Sequence, residues 1–99
     1  MNIQELKERL KKYKKEDIIL TKHAEIQALI RQIDIEEVKK NIMNPEKLVY
    51  VKAQEKDKCD CYFAYSEVLC HRYILKLNRK VIIVTIIKIN RKWQRTIEK

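Results

Sequence analysis

The chain changes character at Asn44-Pro45. Before this pair, apolar residues recur at helical spacing; after it, β-branched and aromatic residues come in short runs. Proline cannot continue a helix and disfavours helical backbone in the residue before it. The boundary therefore predicts helices first and sheet second. The fold class is α+β, with N-terminal helices packed on one face of a four-stranded antiparallel sheet. Ninety-nine residues suit one domain spanning 1–99. With no glycine anywhere, turns fall to Asn, Asp, Ser and Lys.

Residues 2–15 place Ile3, Leu6, Leu10 and Tyr13 along a first amphipathic helix. Thr21 is a good N-cap for a second, whose stripe is His23, Ile26, Ile30 and Ile33. Asp34, with Glu37 three residues on, caps a third helix from Ile35 to about Met43. The runs KLVYVKA, CDCYFAYS, RYILKL and VIIVTIIKI read as strands, with Asn78-Arg79 as a two-residue hairpin turn. Alternation puts Cys59, Cys61, Phe63, Tyr65, Tyr73, Leu75 and Leu77 on one face, where the helices should pack. The two-residue turn adds Ile82, Val84 and Ile86 to it. The opposite face then collects Tyr62, Ala64, Cys70, Arg72, Ile74, Ile83, Thr85 and Ile87. It is basic and aromatic at its centre but apolar around it, so a partner chain, a second copy or a terminus should cover it.

A net charge of +9 favours a polyanion, RNA or DNA before a membrane, although a lysine-rich solvated surface gives the same total. The abundance of Ile, Lys and Glu leans towards a thermophilic source. The N-terminus lacks the apolar core of a signal peptide, and VIIVTII is too short to span a bilayer. These features imply a cytoplasmic chain. Cys59, Cys61, Cys70 and His71 invite a zinc reading, but the spacing lacks a C-x-x-C knuckle. Parity also turns Cys70 away from the other two, so no metal or other cofactor is expected. His71 falls near the end of the helix-facing side and reads as structural.

RNA can be cleaved without a metal. A base takes the 2′-hydroxyl proton, an acid protonates the leaving oxygen, and cations stabilise the phosphorane. The chain has that set in His23, Arg31, Arg72 and Tyr62, with Lys88, Arg91, Lys92, Trp93 and Thr85 as RNA-binding candidates. Each also has a structural reading. His23 shares its stripe with isoleucines and can be a packed side chain. Arg31, Arg72 and the tail cations can be solvated, and Trp93 can anchor the tail instead of stacking on a base.

The stretch LTKHAEIQALIRQIDIEEVKKNIMNPEKLVY resembles the opening of a small-protein family of unknown function. That family carries T-x-H-A, a downstream arginine, a second helix and Asn-Pro before the first strand, and is grouped with the RelE-like and BrnT-like toxins. The later YILKLNRKVIIVTIIKI looks like its sheet, including a last-strand threonine. The resemblance implies a RelE-like fold and a metal-independent endoribonuclease, the toxin of a toxin–antitoxin pair neutralised by a small partner protein. By position, His23 matches the motif histidine, Arg31 the later arginine and Thr85 the threonine. Two positions depart: Gln27 stands where the family often has a second arginine, and Gln32 where it usually has a glycine. A non-catalytic RNA- or protein-binding module and a structural homodimer are the alternatives.

Overall fold

The computed structural model describes residues 2–55 and 57–90, with the side chains of 53–55 and 90 outside that description. Three helices, α1 (Ile3–Leu10), α2 (Lys22–Ile30) and α3 (Ile35–Met43), share one side of a five-stranded mixed sheet. The strands are β1 (Ile18–Leu20), β2 (Leu48–Glu55), β3 (Lys58–Ala64), β4 (Leu69–Leu77) and β5 (Val81–Asn90), in the spatial order β1-β5-β4-β3-β2. The α+β class and the helix-then-sheet order stand. The four-stranded antiparallel sheet does not: β1 lies parallel to β5, pairing Ile18 with Val81 and Leu20 with Ile83. A three-residue strand ahead of a helix cap leaves no alternation to detect. The first helix also ends early, at Leu10 and not near residue 15.

The core lies between helices and sheet. Leu6 and Leu10 of α1, Ala24 and Ala28 of α2, and Val38 and Ile42 of α3 meet Cys59, Cys61, Phe63, Tyr73, Leu75 and Leu77. The face assigned to β3 and β4 by alternation is the observed one, and their register (Cys61 with Tyr73, Tyr62 with Arg72) sets Cys70 on the other side.

On β5 the assignment needs correcting. Leu77 pairs with Val81, so the loop holds three residues, 78–80, instead of two. Tyr13 Oη donates to the Asn78 carbonyl at 2.6 Å and an Arg9 Nη donates to that of Leu77 at 2.9 Å, so α1 side chains hold the loop from below. The extra residue brings Val81 and Ile83 into the core in place of Ile82 and Val84. A bulge at Val84 then slips the register back, because Thr85 pairs with Ile74 while Ile83 pairs with Leu75. Ile86 is therefore inward and Thr85 outward, as alternation had placed them.

The bulge sits where α2 begins. Thr21 donates its backbone N–H to the Ile83 carbonyl and its hydroxyl to that of Val84, and it accepts from Ala24 N as the N-cap. Gln27 Oε1 accepts from Ile86 N at 2.9 Å. Side chains of α2 thus take over hydrogen bonding along β5 where β1 stops. At its other end α2 closes with Gln32 in the left-handed region, φ 54°. Gln32 N bonds the Leu29 carbonyl and Ile33 N that of Ala28, the pairing of a Schellman cap. Gln32 adopts the conformation for which glycine is favoured, at a steric cost on the order of 1 kcal/mol.

Candidate functional site

The second helix is inside out relative to its sequence stripe. Its small residues Ala24 and Ala28 face the sheet. Leu29 is 80% exposed, Ile30 71% and Ile26 48%, and His23 is exposed beside them. Only Ile33, beyond the helix end, is buried as the stripe required. Close docking on β5 explains the inversion, since the Gln27 bond to the strand backbone brings the helix near enough that only alanine fits between. His23 is therefore not a core histidine, and it makes no side-chain hydrogen bond among the described residues.

The predicted catalytic set does not converge. His23 and Arg31 belong to α2 on the helix side, where they stand eight residues apart, about 12 Å along the axis. Tyr62, Arg72 and Thr85 lie on the opposite face of the sheet. Lys88 pairs across from His71, back on the helix-facing side. Arg91, Lys92 and Trp93 lie outside the described residues.

Arg72 and Tyr62 do come together, but around a carboxylate that sequence reading overlooked. The Arg72 guanidinium grips Asp60 with two nitrogens, at 2.8 and 3.0 Å from Nε and 2.5 Å from Nη2, and the Asp60 side chain is only 2% exposed. The same guanidinium lies 5.5 Å from the centre of the Tyr62 ring, which packs on Tyr50 at 5.3 Å. Burial first, then the Asp60 charge, pushes the Tyr62 phenol above its ordinary value. Arg72 thus neutralises a buried acid, which leaves less of its charge for a phosphate. Asp60 and Arg72 sit diagonally on one face of β3 and β4, a relation that alternation contained but that singled out no pair.

A second polar cluster is buried at the other end of β4. Asn41 Nδ2 of α3 donates to Tyr73 Oη at 3.0 Å, and Tyr73 Oη lies 3.0 Å from His71 Nδ1. Since Tyr73 accepts from Asn41, its own hydrogen goes to Nδ1, and the imidazole carries its proton on Nε2. The ring is 1% exposed, and burial first, then the Lys88 and Lys47 cations, holds its pKa down to about 4. Tyr65 stacks on the ring at 4.5 Å, and Lys88 Nζ stands 5.2 Å from the Tyr65 ring centre. A cleft of about 220 Å³, lined by Glu37, Lys40, Asn41, Asn44, Glu46 and Lys47, opens at the Asn41 end of the chain. The sequence signal was the polar pair His71 and Tyr73 on a strand face assigned to the core.

Cys59 and Cys61 sit side by side in the core with their sulfurs 3.4 Å apart, and burial and its neighbour push the Cys61 thiol well up. No group of three or more His, Cys, Asp or Glu among the described residues gathers as a metal-ligand set. No helix among them is long and apolar enough to cross a membrane. No protein-family model, curated protein or solved structure matches the chain.

Proposed function

We propose that the protein is a binding module that docks an acidic protein partner on the exposed face of α2, as the basic member of a toxin–antitoxin-like pair. The observation that carries this reading is the inversion of α2, which turns Ile26, Leu29 and Ile30 to solvent while alanines face the sheet. Large aliphatic side chains grouped on one helix face are the usual anchor of a protein interface. Charge selects the occupant. The chain carries +9, and Lys22 stands on the same outer face as the three aliphatic residues. A partner with an apolar ridge and an acidic rim would associate fast and in one orientation. The family resemblance points the same way, since such toxins are neutralised by a small protein.

The test is co-purification and calorimetry with the product of the adjacent open reading frame. Leu29→Asp/Ile30→Asp should abolish that complex while changing stability by no more than about 0.5 kcal/mol, because both side chains already face water. A complex that survives the double substitution overturns the α2 reading. A chain that pairs with itself through α2, seen as a dimer by light scattering and a monomer in the double variant, favours the homodimer instead.

The endoribonuclease reading has one observation of its own. His23 is exposed in the first turn of α2, and Thr21, which caps that turn, is anchored to β5 at the bulge. A solvent-facing imidazole on a fixed turn suits acid–base work near neutral pH. Arg31 and the +9 charge would supply phosphate contacts, without Arg72 or Tyr62. Expression of the wild type should then slow growth and cleave RNA, and His23→Ala should do neither. Equal behaviour of the two proteins removes catalysis from the account.

A further inference from the structure

The chain Asn41–Tyr73–His71 ends on an unsatisfied group. With Nδ1 accepting from Tyr73, the Nε2–H of His71 is a buried donor, and no group in the protein accepts from it. An unmet buried donor costs on the order of 1–3 kcal/mol, so native proteins rarely keep one without an acceptor from outside the chain. The surroundings specify that acceptor. Lys88 lies directly across from His71 in the β4–β5 register and reaches over Tyr65, the ring that stacks on the imidazole. Lys47 lines the adjoining cleft and acts electrostatically on the same imidazole, so cleft and ring share a wall. Glu37 and Glu46 also line the cleft, but Glu37 acts on Tyr73, at the other end of the chain. The potential at the ring is therefore set by cations. Asn41 completes the frame: it lines the cleft, and its amide is oriented by its bond to Tyr73.

We propose that this cleft binds a small oxyanion of the phosphate class, which accepts the Nε2–H of His71 and is held by Lys47 and the Asn41 amide. A neutral donor between two lysines can bind an anion without first taking up a proton, so binding should persist at neutral pH, where this imidazole is uncharged. The site shares no residue with α2 and depends on neither reading of it.

The experiment titrates inorganic phosphate into the full-length, isotope-labelled protein at pH 7 and follows the imidazole nitrogens of His71 by NMR. The expected result is a saturable shift of Nε2 with slowed exchange of its proton. Lys47→Met, which keeps the aliphatic stem and removes the charge, should weaken the affinity on the order of tenfold. Lys11→Met, which alters an exposed cation of the segment after α1, should leave it unchanged and controls for generic attraction to a basic protein. A Nε2 signal that does not saturate means that trapped water meets the donor, and the proposal falls. It falls equally if Lys47→Met and Lys11→Met weaken binding alike.

Discussion

Acidification from pH 6.5 to 4 should cost the folded protein about 3 kcal/mol through His71 alone. The unfolded chain takes up this proton near 6.5, whereas the folded chain resists it until about 4. Between those values the unfolded state binds more protons, so stability falls as pH falls, and the loss levels off below the lower value. The groups facing the ring all work in that direction. Lys88 from β5 and Lys47 from the segment before β2 repel a second positive charge, and Tyr65 covers the ring from water. Tyr73 offers its hydrogen to Nδ1, where protonation would set two donors against each other. Carboxylates titrate in the same window, so the measurement is a difference: urea unfolding of wild type and His71→Gln at several pH values. The wild type should lose the extra 3 kcal/mol or so across the window, and the variant should not. Parallel pH profiles would show that His71 is not the group responsible.

Arg72→Met should destabilise the protein by roughly 3 kcal/mol or more, because it leaves the Asp60 carboxylate buried without its counter-charge. The apolar stem of methionine still covers the sheet, so lost packing contributes little. Asp60→Leu/Arg72→Met should recover most of the loss, since a buried ion pair replaced whole by apolar groups is often neutral. Denaturant unfolding of the single and double variants gives the coupling directly. A cost for Arg72→Met below about 1 kcal/mol would return Arg72 to the list of cations free to meet a ligand.

The fold was legible where burial enforces a period and illegible where hydrogen bonding overrides it. Cys59, Cys61 and Phe63 against Tyr73, Leu75 and Leu77 came out correctly because one face of each strand must be dry. Strand β1 is three residues long and is held through its pairing with β5, a partner 63 positions away, so its own residues show no pattern. Ile82 and Val84 were misplaced for a different reason. A three-residue loop and a single-residue bulge each shift parity by one, and no residue type marks a bulge of this kind. The stripe on α2 misled because isoleucine spacing reports amphipathicity and not which side is wet. Only Gln27, polar on the buried flank, hinted at the true orientation. The candidate site was legible as a set of residue types but not as a place. His23 and Arg72 sit on opposite sides of the sheet, and the buried carboxylate that engages Arg72 lies between two cysteines that drew attention for other reasons.

The bond from Gln27 to the backbone of Ile86 limits what selection or engineering can do at that position. An arginine at 27, the residue of the family it resembles, would add a cation one helical turn beyond His23. Guanidinium has no acceptor to offer, so the same change would leave the Ile86 N–H facing a donor. Added positive charge near His23 and an intact α2–β5 junction are therefore alternatives in this chain. A gain-of-charge variant would have to carry a second change that gives Ile86 another acceptor.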